Sequence, residues 1–94
     1  MNVLYLNLKK KYFDQILQGT KKYEYREVKE FFIKRLQGKN YDFVKFSNGY
    51  SKNAPYFYVK YLGYEIVTRK FEITGQTIPC FKIKLGQVQK DLPF

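Results

Sequence analysis

From residue 41 onward the chain carries four segments of strand character with no helical segment between them. Alternating apolar and polar residues, rich in Phe, Tyr, Val and Ile, mark 41–46, 56–61, 65–73 and 81–85. Leu62-Gly63 and Thr74-Gly75-Gln76 read as the turns between the later ones. The first forty residues behave differently, because there the period switches back and forth. Residues 2–8 alternate, 10–18 recur at helical spacing, 22–28 alternate again, and 29–36 return to helical spacing. The order is therefore about β-α-β-α-β-β-β-β. A doubly wound parallel sheet needs a helix after nearly every strand, so this order excludes one. The pattern predicts an α+β fold: a small mixed barrel or strongly bent sheet of five to six strands, with two short helices. The chain has 94 residues and no internal repeat or linker, which predicts one domain over 1–94.

Side-chain alternation suggests what faces inward. Leu4, Leu6 and Leu8 form a core face, opposite Val3, Tyr5 and Asn7. Tyr12, Phe13, Ile16 and Leu17 mark the apolar stripe of the first helix, and Gly19 reads as its stop. In 22–28 the alternation puts Tyr23 and Tyr25 on the buried face and Lys22, Glu24 and Arg26 on the other. Phe32, Ile33 and Leu36 give the second helix its stripe, ended by Gly38. The Asn-Gly and Pro in 47–55 mark a loop. Beyond it, Tyr56, Tyr58 and Lys60 share a face opposite Phe57, Val59 and Tyr61. That first set is either an exposed stacking platform or one side of a sheet covered on both faces.

Charge and composition narrow the chemistry. The formal net charge is +10, from 18 Lys and Arg against 8 Asp and Glu, and aromatics reach 20% as ten Tyr and nine Phe. Basic charge interleaved with rings suits a partner that offers phosphates and flat bases. It also suits a bland surface of solubilising lysines over an aromatic core. There is no histidine, which removes the commonest neutral-pH base and every Ser-His or Cys-His scheme. Cys80 is the lone cysteine and is expected as a small core residue; it can form no internal disulfide or thiolate cluster. Neither a metal nor a cofactor is expected. No run of about 18 apolar residues predicts a membrane span, and no leader pattern precedes residue 3. A cytoplasmic home and a monomer are the simplest expectations.

The densest group of candidate site residues lies in Gly19-Thr20-Lys21-Lys22-Tyr23-Glu24-Tyr25-Arg26. Glu24 and Arg26 share a strand face, with Cα atoms about 7 Å apart. Lys21 has the opposite parity. It joins them only if it sits in the turn, before the pleat begins, and Gly19 allows such a turn. A lysine, a carboxylate and an arginine then converge. The guanidinium suits phosphate or a carbonyl edge, and the carboxylate suits an exocyclic amine. The plainer alternative is an exposed ion pair worth about 0–1 kcal/mol.

The segment has the form G-x-K-x-x-E-x-R after a strand and helix, Leu6-Asn7-Leu8-Lys9-Lys10-Lys11-Tyr12-Phe13-Asp14-Gln15-Ile16-Leu17. In this it resembles the ASCH domain family of the PUA-like superfamily. The strand and glycine-bearing loop Val44-Lys45-Phe46-Ser47-Asn48-Gly49-Tyr50 and the closing strand Phe81-Lys82-Ile83-Lys84-Leu85-Gly86 extend the likeness. The resemblance implies a PUA-like pseudo-barrel with a cleft beside the motif, binding RNA or a nucleotide, with the functional lysine at Lys21. It also implies the enzymatic variants of that cleft: an amidohydrolase on N4-acylated cytidine, or a ribonuclease; if the chain is an enzyme, Lys21 and Glu24 are its candidate catalytic groups. The amidohydrolase form pairs its lysine with a threonine three residues on, where this chain has Glu24. It also needs a distal acid, for which Glu65 and Glu72 are candidates. Asn48, Tyr50 and Lys52 are candidate ligand contacts at the cleft's edge, or simply a connection between strands. A third reading is a phage or mobile-element accessory that engages a host protein or ribonucleoprotein.

Overall fold

A computed structural model describes residues 1–91. Its elements run β1 (Val3–Asn7), α1 (Lys10–Leu17), β2 (Tyr23–Glu27), α2 (Glu30–Leu36), β3 (Phe43–Ser47), β4 (Tyr56–Lys70) and β5 (Thr77–Gln89). The five strands form one mixed sheet in the order β1-β3-β4-β5-β2. β1 pairs with β3 in parallel, and every other neighbour pair is antiparallel. The chain thus begins at one edge, crosses through α1 to the opposite edge, and returns through α2 to build the middle.

The two edges come back towards each other. Five flat strands would hold β1 and β2 about 19 Å apart, beyond the reach of one arginine side chain. Yet Arg26 of β2 donates from Nη2 to the Asn7 carbonyl of β1 at 2.8 Å. The sheet is therefore curled, but it stays open, since no ladder joins β1 to β2. The inside of the curl is the core. Leu4 and Leu6, Val44 and Phe46, Phe57 and Val59, and Phe81, Ile83 and Leu85 are all buried there. α1 adds Phe13 and Ile16, and α2 adds Leu36. The Phe13 ring meets Phe57 edge-on at 4.7 Å between centroids.

Three strands follow α2, where the sequence pattern suggested four. Leu62-Gly63 is not a turn: β4 runs unbroken for 15 residues. The ladder with β5 shifts register between Val59 and Tyr61 and again between Tyr61 and Tyr64. Core-facing positions in β4 change from Phe57 and Val59 to Tyr64, which packs edge-on against Phe81. β5 changes phase too, from Leu85 to Val88. Each strand thus holds an extra residue at the same level, which bends the ribbon without losing the pairing. Gly63 takes φ 89° there, and a Cβ on Gly86 would lie 3.0 Å from the Lys60 Cβ. The closing strand is longer than expected for a related reason. Pro79 sits inside it with its carbonyl accepting from Val28, at the level where β2 has ended. The missing N–H falls where no strand partner continues. No helix among the described residues is long and apolar enough to cross a membrane.

Candidate functional site

The end of α1 fixes where Lys21 lies. Gly19, at φ 82°, closes the helix in a Schellman arrangement. The Gly19 N–H donates to the Ile16 carbonyl at 3.0 Å, and the Thr20 N–H to the Gln15 carbonyl at 3.0 Å. The Lys21 N–H and the Thr20 hydroxyl donate to that same Gln15 carbonyl, at 3.1 and 3.0 Å. Lys21 is therefore pinned in a turn, two residues before β2 begins.

β2 carries its charged residues inward. In the antiparallel pairing Glu24 faces Ile83 and Arg26 faces Phe81, both deeply buried core residues. Partners across a ladder share a face, so Glu24 and Arg26 point into the curl. Tyr23 and Tyr25 point out, the reverse of what their apolar rings suggested. Glu24 is only 6% exposed and is the one buried charged residue among those described. The Lys21 Nζ lies 2.7 Å from Glu24 Oε1, and the Arg26 Nη2 lies 2.7 Å from Glu24 Oε2. Arg26 Nε also donates to Oε2 at 2.9 Å, and Lys21 donates to the Tyr23 carbonyl at 2.6 Å.

This geometry is more than an exposed ion pair. Both cationic side chains are 21% exposed, so water reaches them while the carboxylate between them is nearly dry. The triad carries net charge +1. It ties the helix turn, β2 and, through the Asn7 carbonyl, the end of β1 into one unit. One N–H of Lys21 and the Nη1 of Arg26 are left without a partner inside the triad. Rings surround it: the Lys21 ammonium is 5.6 Å from the Tyr12 ring centroid and 5.9 Å from Tyr25, and Arg26 is 5.5 Å from Phe32.

Lys21 also lines three shallow depressions. One of about 320 Å³ is walled by Tyr12, Lys21, Glu24, Tyr25 and Arg69. A second of about 510 Å³ lies towards Gln15, Thr20 and Tyr23, and a third of about 340 Å³ includes Gly19. In the first, the Arg69 guanidinium sits 4.1 Å above the Tyr25 ring. Tyr12 and Arg69 are site residues that the sequence pattern did not single out. Tyr12 belonged to the apolar stripe of α1, but Phe13 and Ile16 take the core and leave Tyr12 exposed. A hydroxyl at the margin of that stripe was the available signal. Arg69 gave none, because its approach depends on the β4–β5 register.

The structure does not bring Asn48, Tyr50 and Lys52 to these depressions. Asn48 donates from Nδ2 to the Leu8 carbonyl at 2.9 Å, fixing the loop to the end of β1. Tyr50 is 93% exposed and, with Arg35 and Gly49, lines a separate depression of about 350 Å³. Lys52 is exposed and lines none of these depressions. The loop nearly touches the triad's far side, since the Asn7 amide donates to the Gly49 carbonyl at 2.6 Å. Glu65 lies 3.7 Å from Lys82 on the outer face, and Glu72 sits in the β4–β5 turn. Neither shares a depression with Lys21. No family model, curated protein or solved structure matches the chain.

Proposed function

We propose that the depression walled by Tyr12, Lys21, Tyr25 and Arg69 binds a nucleotide unit of RNA. The observation that carries this reading is the placement of Lys21. Its ammonium is held beside a buried carboxylate, between two tyrosine rings, with Arg69 on the same wall. Phosphate takes the spare N–H of Lys21 and the guanidinium of Arg69. The base lies against Tyr12 or Tyr25. Glu24 is a positioning residue here: its oxygens already accept from Lys21 and Arg26, and its job is to hold the cations in place.

Binding fits this geometry better than catalysis. A lysine acting as base or nucleophile needs a free lone pair, whereas Lys21 donates to both Glu24 and the Tyr23 carbonyl. The distal acid that an amidohydrolase needs has no candidate in the same depression. The curled five-stranded sheet, brought together edge to edge at Arg26 and Asn7, supports a PUA-like pseudo-barrel of the ASCH type. The buried free thiol of Cys80 suits a reducing, cytoplasmic setting.

The test is a titration with nucleoside 5′-monophosphates, followed through the backbone amide NMR shifts of 20–26. Lys21→Ala and Arg69→Ala should each weaken binding about tenfold, the size of one charged hydrogen bond. Arg69→Ala leaves the triad whole, so its effect is separate from any loss of stability. Absence of shifts at millimolar nucleotide, or shifts confined to another surface, would refute the proposal.

A further inference from the structure

The outer face of the β1–β3–β4 half of the sheet holds a second cation, in very different company. Leu4, Val44 and Phe57 point into the curl, so their strand neighbours Tyr5, Lys45 and Tyr58 point out. The ladder sets those three in one row, and Tyr56 stands beside them in the next row. The Lys45 Nζ lies 4.2 Å from the Tyr56 ring centroid, 5.8 Å from Tyr58 and 5.9 Å from Tyr5. Lys45 is half-buried. Among the described residues, no carboxylate lies within ion-pair distance of its ammonium and no acceptor takes its hydrogen bonds. Lys21, by contrast, has a carboxylate and a carbonyl. Tyr5 is 61% exposed and Tyr56 49%, so two rings are open to solvent on either side of a cation that has no ion-pair partner among the described residues.

We propose that this platform is a second binding site, for single-stranded nucleic acid. Bases stack on Tyr5 and Tyr56, and the phosphate between them takes the Lys45 ammonium. Stacking requires an open base face, which a duplex withholds and a single strand offers. The path extends along the sheet edge. Tyr5 also lines the depression of about 350 Å³ that contains Arg35, and another of about 620 Å³ that contains Lys39. No Asp or Glu lines either of them. The strand therefore meets cations along its length, which favours nucleic acid over an apolar surface. Burial first, then Tyr56, Tyr5 and Asp91, push the Tyr58 hydroxyl above the ordinary phenol value. It stays a neutral donor beside the stacked bases. The platform faces away from Glu24 and Arg26 and lies on the other half of the sheet, so it stands or falls separately from the nucleotide site.

The experiment uses a ten-residue uridine or adenosine oligomer, with tyrosine fluorescence as the readout. Tyr5→Leu combined with Tyr56→Leu should reduce affinity about 10- to 100-fold, the loss expected for two stacked bases. Lys45→Gln should reduce it several-fold, leave the rings in place, and serve as the check if the double variant fails to fold. Nucleoside monophosphate binding at Lys21 should be unaffected by all three substitutions. Oligomer affinity within twofold of wild type in both folded variants would overturn the proposal. So would equal affinity for polyglutamate of the same charge, which would reduce the platform to charge alone. If monophosphates fail to bind at Lys21 but the oligomer still depends on Tyr5 and Tyr56, the platform holds and only the nucleotide site is lost.

Discussion

Replacing Glu24 with Gln removes the negative charge from the triad while keeping its shape. In the native fold two cations each lie 2.7 Å from a carboxylate oxygen that is almost fully buried. Glutamine offers one oxygen and one NH₂ in that place, so one of the two cations would face a donor. Removing one partner of a buried pair costs about 3–5 kcal/mol. Here the cations are each 21% exposed, so water recovers part of that loss, and about 2–4 kcal/mol is the expected destabilisation. For a chain of this length that corresponds to roughly 10–25 °C in Tm. Urea unfolding followed by far-UV circular dichroism measures it, with the m-value unchanged. Glu27→Gln is the control. It breaks an exposed contact, 3.4 Å from Lys29, and should cost under about 0.5 kcal/mol. Nucleotide affinity of Glu24→Gln should fall several-fold in folded protein, because the Lys21 ammonium is no longer fixed by a carboxylate. A loss of stability no larger than that of the control would refute the reading of the triad as a dry, structure-bearing cluster. Unchanged affinity in folded protein would refute the positioning role of Glu24.

Three further outcomes are expected. Gly63→Ala meets no atom within 4 Å but must adopt φ 89°, so denaturant unfolding should show a loss of about 1–2 kcal/mol. Asn48→Ala removes the side-chain donor to the Leu8 carbonyl, and the same assay should show about 1–3 kcal/mol lost. Burial, and then Tyr64 and Tyr41, raise the Tyr61 phenol from 10.0 to about 12. Its contribution to stability is fully present below pH 10 and is lost as pH rises through about 12. The tyrosinate absorbance difference between wild type and Tyr61→Phe should therefore appear near pH 12, and a difference near pH 10 would contradict the packing.

Much of this fold was legible because local periodicity and burial agree. Leu4, Leu6 and Leu8 face the core as their alternation requires, and α1 stops at Gly19 as its apolar stripe predicts. The places where the sequence misled are those where a distant partner decides the outcome. Gly63 reads as a turn in isolation, but paired irregularities in β4 and β5 turn it into a bend within one strand. The alternation in 22–28 has two possible phases, and apolar preference selects the wrong one. Glu24 goes inward because Lys21 and Arg26 neutralise it there, while Tyr23 and Tyr25 lie outside, where Lys82 and Arg69 contact their rings. The cations flanking Glu24 were visible in the sequence. The register against Ile83 and Phe81, which fixes the phase, was not.

Whether Lys21 meets a phosphate of RNA is decided by the salt dependence of affinity for a short single-stranded RNA, in wild type and in Lys21→Ala. Each phosphate contact adds about 0.7 to the slope of log affinity against log salt for a single strand. Wild type should show a steep negative slope, and one shallower by about 0.7 when Lys21 is lost. Parallel lines for the two folded proteins, or no binding even at low salt, would contradict it.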